Sequence, residues 1–406
     1  STAAPPGERL RGAESTGVVD NRCAWPEFRE DTLSPARIAR CTRVKTVPVP
    51  QTILTRKTKH ALFLVLTINA GGEDAVRGMF DVLGSRINSV SSRAPEQALA
   101  GIVSIGSDAW DRLFAGNRPK SLRPFVEYAG DVHTAPATPA DLLLHLKADA
   151  MDLCYELGRM LMSELGDAVT VVDEVHGFRY FDLRDLIGFV DGTENPVGQA
   201  AIDAITVGDE DPAYAGGSYV AIQRYVTDFK EWDSISVEDQ EAAIGRTKLD
   251  NIEMSDDVKP TNSHIALNVV NDVNGEQIDV VRDNMPYGEA SGIGDSGTFY
   301  IAYSSAPDVT EEMLRKMFIG DPPGNYDRLL DFTTAVTGAQ FFTPTVDFFD
   351  DLPDAPAAAE SDSDDDAPHD VPAPAPVTLD AASPVPPPEP TDPGDGSLGI
   401  GSLRSS

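Results

Sequence analysis

The 406 residues carry 66 acidic against 32 basic side chains, a formal net charge of −34 at pH 7. A field of that sign repels nucleic-acid phosphates and anionic membrane surfaces, so neither is an expected partner. No stretch approaches the roughly 18 uninterrupted apolar residues of a spanning helix, and three cysteines (Cys23, Cys41 and Cys154) are too few for a disulfide framework. With no apolar h-region near the first residues, the expected location is the cytoplasm.

Residues 1–47 alternate Pro, Gly, Arg and Ser without period and read as a peripheral extension. From residue 48 the pattern sharpens. ALFLVLTIN (61–69) is an apolar, partly β-branched run, expected to be a buried strand. EDAVRGMFDVLGSRINSV (73–90) places apolar residues near i, i+3, i+4 and i+7, which predicts an amphipathic helix. LAGIVSIGS (99–107) reads as a strand, followed by a short helix with Asp108 as its cap. TPADLLLHLKADAMDLCYELGRMLMSEL (138–165) starts strand-like and turns helical near Ala148, with Cys154 expected as a buried small hydrophobe. DAVTVVDEVHGF then returns to strand. Two β-α-β units predict a ferredoxin-like α+β half over 48–190, with antiparallel sheet.

The second half, 191–349, repeats that element order. Strands are expected at 216–226, 265–270, 278–282 and 297–304, and helices at 237–250 and 310–319, the latter capped by Thr310. The fold class is therefore α+β, a duplicated ferredoxin-like architecture. After Phe349, residues 350–395 consist of Asp, Ala and about a dozen prolines, and residues 351–406 carry twelve acids against the single Arg404. Such composition predicts an extended, self-repelling linker. It ends in DGSLGIGSLRSS, where Leu398, Ile400 and Leu403 are apolar anchors spaced by Gly and Ser, as a docking peptide on a tether requires.

Two stretches suggest chemistry. Residues 263–288 (SHIALNVVNDVNGEQIDVVRDNMPYG) read as a hairpin turning at Asn274–Gly275. His264 stands at its entrance and Arg282 at its exit, an arrangement that could form a site, although this stretch alone favours a strand-end histidine with a solvated arginine. In GFVDGTENP (188–196), turn dipeptides set Asp191 beside Ile187, Phe189 and Val190. A carboxylate against apolar surface is a candidate proton-transfer group, and Asp–Gly is also a common surface turn. No Walker loop and no G-x-S-x-G elbow is present, and the six histidines lack paired metal spacing.

GFVDGTENP (188–196), GRTKLDN (245–251), SHIAL (from 263), VVRDNMPYG (280–288) and MFIGDPPGNYDRLLDF (317–332) occur together and in consistent order. In this the chain resembles the dye-decolourising peroxidases, most closely their bacterial B-type members, over about residues 48–347. The tail SLGIGSLR (397–404) resembles the peptide that delivers cargo enzymes into encapsulin shells. The resemblance implies one haem b per chain, bound in the C-terminal half, and reduction of hydrogen peroxide through a high-valent iron intermediate. It also implies oxidation of dye-like or phenolic donors, packaging in an encapsulin nanocompartment and a homo-oligomer between dimer and hexamer. His264 matches the proximal ligand, with Asp327, or alternatively Asp331, as the carboxylate behind it. Asp191, Arg282 and neighbouring Asn284 match the distal residues, and Arg246 a basic partner for a haem propionate. Trp232, Tyr287 and Tyr326 are candidate electron relays, and packing suits them equally. A haem-handling or storage protein with incidental peroxidase activity is the alternative reading.

Overall fold

The computed structural model describes residues 48–357. The expected N-terminal extension with Cys23 and Cys41, nearly all of the acidic linker, and the anchors Leu398, Ile400 and Leu403 lie outside the described residues. In chain order, the first half comprises β1 (His60–Ile68), α1 (Glu73–Ser91), β2 (Ala100–Ile105), α2 (Ser107–Leu113), β3 (Leu142–Ala148), α3 (Met151–Leu165) and β4 (Val169–Phe178). The second comprises α4 (Gln199–Ile205), β5 (Ser218–Thr227), α5 (Phe229–Ser234), α6 (Val237–Ile244), α7 (His264–Leu267), β6 (Val281–Arg282), β7 (Met285–Tyr287), β8 (Gly297–Ser304), α8 (Pro307–Phe318), β9 (Thr333–Ala335), β10 (Ala339–Thr343) and α9 (Val346–Asp350).

The principal strands run β4-β1-β3-β2-β10-β5-β8-β6 across one ten-stranded sheet, with β9 on β5 and β7 on β8. Each half repeats the same antiparallel order, in which its fourth strand flanks its first, then its third, then its second. This is the duplicated ferredoxin-like plan. A single registered pair, Phe342 with Ile105, joins the halves.

The continuous apolar run in β1 is explained by burial on both faces. Leu62, Leu64 and Leu66 face one core with α1 and α3 residues such as Met79, Phe80, Leu157 and Leu161. Ala61, Phe63 and Val65 face a second core shared with Val220, Ile301 and Phe341 of the other half. Burying one such Leu or Phe stabilises by about 1.5–3 kcal/mol. Phe63 stacks on Phe299 at 4.1 Å although five strand steps separate them, so the sheet curls until its two ends approach. Gly177 permits that closure: a Cβ there would lie 2.5 Å from Met285 Cβ.

Several expectations change at element ends. α2 begins at Ser107 after Gly106, with no side-chain cap, so Asp108 is an acid in its first turn rather than its cap. α8 begins at Pro307, whose fixed φ suits a first helical position, and Thr310 is inside the helix donating to Pro307 O at 2.9 Å. α6 ends at Ile244 because Gly245 takes φ 93° as a left-handed cap, so residues 246–250 are loop. The first arm expected at 265–270 is a helical turn at 264–267, and Asn268 Nδ2 satisfies His264 O at 2.7 Å. A short apolar run cannot be assigned from periodicity alone. The tip is as expected: Asn271 bridges Gln277 and Gly275 takes φ 86°.

Cys154 is buried and free, its thiol pushed up to about 12 by burial. No helix of the described residues is long and apolar enough to cross a membrane.

Candidate active site

The second half holds a cavity that is partly open to solvent. Strand alternation builds one wall: on β8, Phe299, Ile301 and Tyr303 face the core, while Thr298 and Tyr300 line the cavity. Tyr225 and Thr227 of β5 line it too. Leu314 and Met317 of α8, with Leu329 and Thr333, close the far side, and His264 and Asn268 come from the α7 turn. The segment between the halves contributes Asp185, Ile187 and Asp191.

His264 Nδ1 lies 2.7 Å from Asp327 Oδ2. Asp327 is fully buried and its other oxygen caps the following turn, accepting Leu329 N–H at 2.9 Å. Burial alone lowers the pKa of His264, but the charge and hydrogen bond of Asp327 outweigh it and raise the pKa. With Nδ1 engaged by a carboxylate, Nε2 is left without a hydrogen bond in a residue lining the cavity, the disposition of a metal-ligating imidazole. Asp331 is elsewhere, accepting from Tyr326 Oη and pairing with His133 Nε2, both at 3.1 Å.

Arg282 and Asn284 are two residues apart on the β6–β7 segment, so both face the cavity while Asp283 turns into the interior. There Asp283 meets Lys147 Nζ at 2.7 Å and Lys57 Nζ at 3.2 Å. Among the described residues Arg282 Nε is buried without a partner and the guanidinium forms no ion pair, which is costly unless a ligand faces it. Asn284 donates to Asp191 Oδ1 at 3.3 Å and accepts from Ile301 N–H at 3.0 Å, so it ties the Asp191 turn to β8. Asp191 and Arg282 line the same cavity without a direct ion pair.

Sequence reasoning missed Asp185, whose carboxyl is pushed up to about 7 by burial and by the charge of Asp191. Its Oδ1 accepts from Ile187 N–H at 3.1 Å, a local turn that the spacing Asp-x-Ile could not distinguish from any other. Asn195 was also missed. Arg246 does not line the main cavity: its guanidinium pairs with Glu194 and with Glu253, the latter at 3.2 Å. Those two carboxylates line an adjoining cavity that shares His264, Asn268 and Arg282 with the first. No group of three His, Cys, Asp or Glu able to hold a bare metal ion occurs among the described residues.

A planar macrocycle with a metal centre and two carboxylates fits these features. The imidazole offers a free nitrogen, the Arg282 guanidinium has no acceptor at its buried Nε among the described residues, and Ile187, Tyr225, Tyr300, Leu314, Met317 and Leu329 supply apolar wall. Residues 50–179 match the N-terminal and 182–348 the C-terminal Dyp-type peroxidase domain. A dye-decolorizing peroxidase of Rhodococcus erythropolis is 53% identical over 359 residues, covering 88% of this chain and 98% of its own. The encapsulated DyP-type peroxidase from Mycobacterium smegmatis superposes with a TM-score of 0.75 at 56% identity, covering 76% of this chain and all of that one. A DypB variant of Rhodococcus jostii RHA1 in complex with heme superposes at 0.73 with 49% identity over 75% of this chain and 99% of its own. The chain belongs to the Dyp-type peroxidase family of haem enzymes.

Proposed function

We propose that the chain binds one haem b in this cavity through His264 and reduces hydrogen peroxide there, drawing electrons from bulky dye-like or phenolic donors. The observation that carries this reading is a single cavity lined by both the Asp327-held imidazole and the unpaired Arg282 with Asp191 and Asn284. Bound haem supplies the redox-active iron. Asp327 keeps the proton on Nδ1 and makes His264 an electron-rich ligand. Peroxide loses a proton from one oxygen and gains one on the other before its O–O bond breaks heterolytically. Asp191 carries that proton, and Asn284 holds the carboxylate in place. Arg282 faces the negative charge developing on the departing oxygen. Arg246, whose guanidinium also serves Glu194, Glu253 and Asn251 O, would meet a propionate with its remaining donors.

For large donors, the surroundings of the aromatic residues favour Tyr326 as the exit point. Trp232 is buried with the Lys248 ammonium 5.9 Å from its ring, and Tyr287 lies under Arg224 at 5.8 Å. A nearby cation opposes loss of an electron from a ring. Tyr326 instead donates to the Asp331 carboxylate and immediately precedes Asp327. It gives up one electron towards the peroxide-oxidised site and its phenolic proton to Asp331. The donor then returns one electron and Asp331 the proton.

The tail anchored by Leu398, Ile400 and Leu403 docks the enzyme, as a homo-oligomer, inside an encapsulin shell. The similarity to an encapsulated peroxidase supports this part. Absorption spectra of the purified protein before and after peroxide test the first claim, with a Soret band that changes on mixing as the expected result. A haem protein without peroxide turnover would favour the storage reading. Deleting residues 395–406 tests the second: turnover is retained and shell filling is lost. Filled shells with the truncated chain would refute it.

A further inference from the structure

We propose that Asn195 is a positioning residue that aims the Arg282 guanidinium into the cavity by holding both backbone groups of Arg282. β6 is the last strand in the sheet order, and it is only two residues long. Its inner side is served by β8, where Asp283 N–H donates to Ile301 O at 3.0 Å. The N–H and C=O of Arg282 therefore point outward, where the sheet has no further strand among the described residues. The side-chain amide of Asn195 takes that strand's place. Its Oδ1 accepts Arg282 N–H at 2.9 Å and its Nδ2 donates to Arg282 O at 2.6 Å. A primary amide presents the same donor and acceptor pair as a peptide group, so it closes an open sheet edge at one residue.

Two further facts tie this clamp to the site. Asn195 is on the turn that carries Asp191, four residues earlier, with its own N–H on Gly192 O at 3.2 Å. It therefore couples Asp191 and Arg282, which are far apart in sequence and share no ion pair. Lys57 from the first half completes the hold, donating to Arg282 O at 2.9 Å and to Asp283 Oδ1 at 3.2 Å. Arg282 Nε has no hydrogen-bond partner among the described residues, so the backbone is where the described residues hold this side chain. Its reach is set where the backbone is pinned, and small displacements of such a group are costly.

The inference rests on the reading of Arg282 as a haem-facing group, and the test separates the two. Fluoride is titrated into the ferric holoprotein, because bound fluoride accepts hydrogen bonds from a guanidinium. Arg282→Leu weakens fluoride binding by at least about tenfold, the span of one charge-assisted hydrogen bond. Asn195→Ala weakens it by at least about fivefold, and Asn195→Asp, which keeps the acceptor for Arg282 N–H, by at least about threefold. The double variant Asn195→Ala/Arg282→Leu binds within about twofold of Arg282→Leu alone, because the clamp acts only through the arginine. Full additivity in the double variant overturns the proposal. So does wild-type fluoride affinity in Asn195→Ala, or in Asn195→Asp should the alanine variant fail to retain haem. Unchanged affinity in Arg282→Leu would instead overturn the placement of Arg282 itself.

Discussion

Asp327 reaches His264 Nδ1 with one carboxylate oxygen at 2.7 Å while the other caps Leu329 N–H at 2.9 Å. That double use makes the site sensitive to an isosteric change. In Asp327→Asn the amide oxygen keeps Leu329 N–H, so the NH₂ group faces His264. An NH₂ can only donate, which forces the imidazole proton onto Nε2, the nitrogen needed for iron. Haem affinity is expected to fall about 10–100-fold, the usual cost of losing a ligand's supporting partner. Titration of the apoprotein with haemin checks this, with His264→Ala, which is expected to lose the Soret band, as the reference.

Arg282→Leu and Asp191→Ala remove the charge stabiliser and the proton carrier from the same cavity. Each is expected to slow the reaction with peroxide by more than about tenfold, since general acid–base and charge-stabilising groups contribute about 10²–10⁴. Stopped-flow mixing of the ferric enzyme with peroxide measures it. Wild-type rates in both variants would remove these residues from the mechanism.

Tyr326→Phe keeps the ring and deletes the hydrogen bond to Asp331. Turnover of a bulky dye is expected to fall by at least about threefold, while a small donor able to enter the cavity is unaffected. Electron paramagnetic resonance after peroxide addition provides an independent reading: a tyrosyl signal in the parent protein diminished in the variant.

A buried cluster beside β6 contributes to acid stability. His145 is buried and its pKa is lowered to about 3, first by burial and then by the charge of Lys147. The unfolded chain takes up this proton near pH 6.5 and the folded chain does not, so the unfolded state binds more protons between pH 6.5 and 3. The contribution is complete above 6.5 and is lost as pH falls, by at most about 1.4 kcal/mol per pH unit. Burial raises the pKa of Asp283, but Lys147, Lys57 and His145 outweigh it and lower the pKa overall. Its contribution is present above the ordinary carboxylate range and declines below about pH 4. Asp185, pushed up to about 7, takes up its proton in the folded chain over the same range and opposes this loss, so the cluster is read from a variant against the parent. In His145→Gln, which cannot titrate, stability should fall less between pH 6.5 and 3 than it does in the parent protein. A parallel pH profile in the variant would contradict the assignment.

Sequence pattern alone determined the strands and helices of the first half and, in the second, β5, β8, α6 and α8, while α4, α5, β7, β9 and β10 carried no such signal. Continuous apolar runs marked strands buried on two faces, and the 3.6-residue period marked α1 and α3, because burial imposes these periods locally. The residue motifs likewise brought His264, Arg282, Asp191 and Asn284 to notice before any contact was visible. Tertiary structure decided the rest. It turned 264–267 into helix and joined the halves through Phe342 and Ile105. Asp327 and Asp331 sit four residues apart in one motif, yet only Asp327 meets His264, while Asp331 turns to His133, 198 residues away. Asn195 looked like an ordinary turn residue until β6 proved to be an edge needing a partner. Such pairings depend on strand register, sheet curvature and which backbone groups remain unpaired. Those are properties of the assembled chain, and local periodicity does not encode them.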